Sequence, residues 1–151
     1  MKTSTLIALI IFVCMGCKSS KNPNVSVSQN YESLVIEYVA NTRGFYQKTL
    51  IKHQPVSVTN DRSGIEKPSI QNISFEDWNF LVSELNKLDL EALSKLKAPT
   101  EKRFYDGAAI AVFRVILDGK TYETTNFDHG FPPNEIKKTV EIVNALYKLE
   151  K

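Results

Sequence analysis

The sequence predicts an α+β fold. It takes the form of an antiparallel sheet of about five strands, in the order β-β-β-α-β-β-α, with two helices packed on one face. Three observations predict it. Alternating, β-forming segments at 31–40 and 45–53 flank the turn residues Asn41-Thr42-Arg43-Gly44. A second pair flanks Asp118-Gly119, a two-residue hairpin signal of the I′ kind. Two other stretches, opening at Ser74 and at Pro133, place apolar residues at helical spacing instead.

In chain order, the first strand sets Leu34, Ile36 and Tyr38 on one face and Val35, Glu37 and Val39 on the other. The second sets Phe45, Gln47, Thr49 and Ile51 opposite Tyr46, Lys48 and Leu50. Pro55 to Thr59 is a third short strand, with proline suited to its start. Residues 60–68 are dense in turn formers and read as a loop. Ser74-Phe75-Glu76-Asp77 has the form of a helix-capping box, and Trp78, Leu81, Val82 and Leu85 follow as one apolar stripe. This makes Trp78 a core residue. Asp89 caps a short turn over 90–96, ended by Pro99.

Ala108 to Leu117 is the most hydrophobic run after residue 30. Ala109, Ala111, Phe113, Val115 and Leu117 are placed toward the helices, at the sheet centre. Thr121 to Phe127 is the returning strand, broken by Asp128-His129-Gly130-Phe131-Pro132-Pro133. Pro133 suits the first turn of a last helix running to about Leu149, with Ile136, Val140, Val143 and Leu146 or Tyr147 as its stripe. The second face of the sheet is left either wet or as a docking surface.

The first seventeen residues have a different character. Lys2 precedes the apolar run Leu6 to Val13, and Cys14-Met15-Gly16-Cys17 leads into the polar stretch from Lys18 to Asn24. The run falls well short of the about 20 apolar residues a membrane span requires. Charged start, short apolar core and small residue before a cut make a signal peptide. The segment resembles a bacterial lipoprotein signal. Gly16 is the small residue before the cysteine, and Cys14 stands where that family commonly has Leu. Bulky Val13 before Cys14 favours Cys17 as the modified position.

The resemblance implies cleavage before Cys17, a diacylglyceryl thioether on Cys17, and an acylated new N-terminus. Two or three chains, at about 0.8 kcal/mol per buried methylene, form a stable anchor. Lys18-Ser19-Ser20-Lys21 contains no acid and no Asp at position 18. By the same resemblance this favours the periplasmic face of the outer membrane. The expected organisation is residues 1–16 as signal, 17–30 as lipidated cysteine and flexible tether, and 31–151 as one α+β domain.

Removing residues 1–16 leaves 135 of 151, a length for one domain. Lys2 leaves with them, so the formal charge falls from +2 to +1, which gives no electrostatic case for nucleic acid. The only cysteines are Cys14 and Cys17, so the folded part has no disulfide or thiolate metal site.

Asp106-Gly107 and Asp128-His129-Gly130 lie at ends of one expected hairpin that should meet, where a carboxylate would act on His129. This reads as a polar ligand or partner site. The plainer and preferred reading is that these residues make turns and cap strands. Arg43 and Phe45 at the first hairpin tip have a composition found at binding hot spots, and equally that of an ordinary turn. Lys95, Lys97, Lys102 and Arg103 form a basic region around Pro99, read as a solvated loop. No metal and no cofactor are expected. His53 lies in the other hairpin, and neither H-E-x-x-H nor G-x-S-x-G occurs.

The element order, the hairpin tip Arg43-Gly44-Phe45, the Asp-Gly before the central hairpin and the proline-led last helix are similar to several small bacterial envelope families. They are also similar to emfourin-like proteins, which inhibit thermolysin-type metalloproteases. The likeness is one of architecture over residues 31–149, and it carries no inhibitory residue across. The expected function is a non-enzymatic binding domain, lipid-anchored in the envelope and held near protein neighbours, with protease inhibition as its regulator form. The alternatives are a hydrolase using Asp106, Asp128 and His129, or a purely structural lipoprotein.

Overall fold

A computed structural model describes residues 31–147. The signal segment, Cys17, the tether over 17–30 and the expected helix end near Leu149 lie outside the described residues. The fold is α+β. In order it runs β1 (Val35–Thr42), β2 (Phe45–Lys52), β3 (Pro55–Thr59), β4 (Ser69–Asn72), α1 (Phe75–Leu85), β5 (Ile110–Leu117), β6 (Lys120–Glu123), β7 (Phe127–Asp128) and α2 (Lys137–Leu146). Tight 3-10 turns occupy Tyr31–Ser33, Leu90–Lys95 and Lys102–Tyr105.

The strands form one antiparallel sheet in the order β4-β3-β2-β1-β5-β6, with β7 also on β5. Alternation decides which face each residue occupies. Ile36, Tyr38 and Ala40 of β1 and Ala111, Phe113 and Val115 of β5 are all buried on one face. Trp78, Leu81 and Leu85 of α1 cover that face together with Ile136, just before α2, and Val140 and Val143 of α2. Glu84 ties the two helices: its carboxylate lies 2.6 Å from Lys87 Nζ and 2.9 Å from Lys138 Nζ.

The opposite face is centred on charge. Lys48 on β2, Glu37 on β1, Arg114 on β5 and Glu123 on β6 form a row of ion pairs across four strands. Val35, Val39, Leu50, Val112 and Ile116 flank that row, half-buried.

Local chemistry explains the element ends. Ser74 has extended backbone (φ −67°, ψ 158°) and its Oγ accepts the Asp77 N–H at 3.0 Å, capping α1. Asp89 likewise accepts from Glu91 N at the start of the 90–95 turn. Asp118 and Gly119 both have positive φ, 51° and 77°, as a I′ turn requires.

Several features differ from the sequence reading. β4 is an added strand. Its residues, Ser-Ile-Gln-Asn, pair with β3 through the backbone while Ile70 stays exposed, so burial leaves no alternating signal. The returning strand is split by a one-residue bulge: Arg114 pairs with Glu123, but Ala111 pairs with Phe127. At the break, Thr124 bonds Phe113 through both its N–H and its Oγ1, at 3.0 and 3.1 Å. Last, Pro133 opens a tight turn, with Ile136 N–H on Pro133 O at 3.2 Å, and α2 begins four residues later. β5 is internal, with β1 and β2 closer to the middle of the sheet.

Candidate functional site

The two ends of the sheet are built differently. At one end the chain joins β1, and Ser33 Oγ donates to Asp118 Oδ1 at 2.6 Å while accepting from Asp118 N at 3.2 Å. That fixes the start of the sheet against the β5–β6 turn. β1 then runs eight residues, about 25 Å at ~3.3 Å per residue. At the far end lie the β1–β2 tip, the 60–68 loop, the turn over Lys102–Tyr105, and His129 to Phe131.

Asp128 organises this far end. It pairs with Ile110 on β5, so it shares the face of Ile110, away from the helices. The 102–105 turn closes over it, and its side chain is fully buried. Oδ2 accepts from Thr100 Oγ1 at 2.5 Å and Lys102 N at 2.7 Å. Oδ1 accepts from Arg103 N at 3.0 Å and its guanidinium at 3.1 Å. Four bonds fill the four lone-pair sites of a carboxylate. Burial works to raise the Asp128 pKa, and the bonds from Thr100, Arg103 and Lys102 outweigh it and hold the group at about 2.

His129 follows on the opposite side. Its Nδ1 lies 2.8 Å from the Tyr38 hydroxyl, and its ring packs 5.4 Å from Phe45 and 5.9 Å from Tyr38, centroid to centroid. Burial pushes the Tyr38 phenol up to about 12, partly opposed by the Asn144 side chain and the Gly130 backbone N–H. Both oppose it by acting as donors to the phenol oxygen. Asn144 Oδ1 is buried without a hydrogen-bond partner.

The sequence-predicted residues thus separate. Asp128 and His129 do not form a dyad, because every acceptor site of Asp128 is occupied by the turn. Asp106 does not join the Asp128 carboxylate. It ends the 102–105 turn in the left-handed region (φ 58°) and is exposed, whereas Asp128 caps the start of that turn. Gly107 follows closely: a Cβ there would sit 3.0 Å from the ring of exposed Tyr105 and 3.3 Å from Lys102 O, so Tyr105 would have to shift. Phe45 is brought to His129, a contact no local pattern signals. Arg43 stands apart on the exposed tip. Among the described residues no group of His, Cys, Asp and Glu gathers to hold a metal ion.

What the far end does assemble is exposed aromatic surface with cations laid on it. Phe104 is 72% exposed, Tyr105 71% and Phe131 40%. Lys102 Nζ sits 3.8 Å from the Phe131 centroid and the Arg103 guanidinium 4.3 Å from that of Phe104. Beside them Arg43, Gly44, Phe45, Tyr46, Asn60, Asp61, Arg62 and Ser63 line an open cleft of about 650 Å³. Sequence reasoning placed Lys102 and Arg103 in a solvated loop. The neighbouring Phe104-Tyr105 was the signal for their role. No family model matches the chain, and neither a curated protein nor a solved structure does.

Proposed function

We propose that this is a lipid-anchored envelope protein whose folded part is a non-enzymatic binding domain, engaging a protein partner through the aromatic end of the sheet. One observation carries the reading. The chain joins the sheet at the Ser33–Asp118 contact, while Phe45, Phe104, Tyr105 and Phe131 lie exposed at the other end. A domain held by lipid on Cys17 would then be tethered at the end remote from these aromatics, leaving them clear of the attachment point. Exposed aromatics beside Arg and Lys have the composition of interface hot spots. The face opposite the helices is the weaker candidate, because its central charges already pair with one another.

The hydrolase alternative finds less support. A general base requires free acceptor capacity, and the Asp128 oxygens have spent theirs on Thr100, Lys102 and Arg103.

Two measurements test the proposal. Palmitate labelling and membrane fractionation should show an acylated, membrane-bound protein that Cys17→Ser releases. Cross-linked capture of partners from cells should lose its target in Phe104→Ala/Tyr105→Ala. A soluble wild-type protein, or a partner kept by the double variant, contradicts the anchor and the binding end respectively.

A further inference from the structure

The cleft beside the aromatic end has a more specific chemistry. Two guanidiniums line it, and they are not equivalent. Arg62 is tied down: it donates to Asn41 Oδ1 and Thr42 O, and its charge lies 5.8 Å from the Tyr46 centroid. It thereby docks the 60–68 loop on the hairpin tip and gives the cleft two fixed walls. Arg43 is exposed on the tip and has no hydrogen-bond or ion-pair partner among the described residues.

The one carboxylate in the lining is Asp61, and its oxygens are spent inside its own loop. They accept from Ser63 N at 2.8 Å, Ser63 Oγ at 2.6 Å, Ile65 N at 2.7 Å and Glu66 N at 2.8 Å. The lining therefore carries two positive charges against one negative charge, and that negative charge is already solvated by backbone amides. The cleft is shallow and open, with about 650 Å³ of accessible space, room for a chain segment laid across it rather than for an enclosed small ligand.

We propose that this cleft takes an acidic segment of a protein partner, with an Asp or Glu carboxylate bonded to Arg43 and an adjoining apolar side chain against Tyr46. The inference rests on the binding reading above and names the partner's chemistry. Charge complementarity favours an anion, and guanidinium forks match carboxylates in two-point geometry. The cleft also lies at the end remote from the point where the tether joins β1.

The test uses the full chain in detergent. The probes are fluorescein-labelled nonapeptides with acidic residues around a central Phe, and counterparts with Gln and Asn in place of the acids. Anisotropy should show the acidic peptide binding at least tenfold more tightly than the neutral one, with the preference weakening as salt rises. Arg43→Glu should remove that preference at an unchanged melting temperature, and Arg43→Lys should keep part of it. Equal binding of both peptides, or a preference untouched by Arg43→Glu, overturns the proposal. So does binding to phosphatidylglycerol vesicles that depends on Arg43 where the peptides show no preference. Failure here is separable from failure of the wider reading. Partner capture that survives Arg43→Glu but not Phe104→Ala/Tyr105→Ala removes the acidic cleft alone, while capture that survives both removes the aromatic end as well.

Discussion

The Tyr38 hydroxyl lies 2.8 Å from Nδ1 of His129, and this bond joins the central strand of the sheet to the turn that ends β7. Tyr38 is fully buried on β1, so its phenol ionises only at about 12. A raised pKa means that the stability it contributes is complete below about 10 and is lost as pH climbs toward about 12. Tyr38→Phe should cost about 1–2 kcal/mol by removing the buried bond between the phenol and His129 Nδ1. Alkaline titration of tyrosinate absorbance should lose its latest phase in that variant. An unchanged late phase would assign it to another tyrosine.

Asp128 caps a turn and balances Arg103 while fully buried, with Arg103 nearly so. Removing one partner of such a pair leaves the other uncompensated. Asp128→Ala should destabilise the fold by about 3–5 kcal/mol in urea unfolding. Amide exchange at Lys102 and Arg103 should accelerate first, because their N–H groups lose their acceptor. A loss below about 1 kcal/mol would mean the carboxylate is not structural.

The acid limb follows from the same group. The Asp128 pKa is depressed from 3.8 to about 2, so its contribution is present above about 4 and is lost as pH falls toward 2. Asp61 shifts in the same direction, through the Glu66, Ser63 and Ile65 bonds, but it is only partly buried and screened by solvent. Stability measured between pH 5 and 2 should therefore fall less steeply in Asp128→Asn than in the wild type. Equal slopes would place the acid sensitivity elsewhere.

Ser74→Ala removes the acceptor for Asp77 N–H at the start of α1 and should cost about 1 kcal/mol. Ser74→Gly should cost only a few tenths, and thermal melts of the two variants separate capping from a general surface effect.

Much of the fold is legible in the sequence because burial leaves a period. Ile36, Tyr38 and Ala40 alternate in β1, and Trp78, Leu81 and Leu85 repeat along α1, each on the face the core requires. The missed features leave no period. β4 pairs through its backbone with Ile70 exposed, and the bulge between Thr124 and Phe127 is a register event that composition does not encode. The site was legible in part for the same reason. Sequence brings the backbone ends of the second hairpin together, as the His129 N–H on Ala109 O at 2.9 Å shows. It does not say which way consecutive side chains turn. Asp128 and His129 point to opposite faces, and the Phe45–His129 contact joins β2 to the turn after β7, far apart in the chain.

The account's central claim is that partners meet the domain at the aromatic end and not at the end where the tether joins. The most direct measurement is photo-cross-linking in intact cells, with benzoylphenylalanine in place of Tyr105 or in place of Phe75. Both positions are exposed. Phe75 lies near the tether end, since Asn72 pairs with Pro55 and Ile73 N–H bonds Gln54 O. The account predicts a discrete protein adduct from position 105 and none from position 75. An adduct from position 75 alone, or from neither, would contradict it.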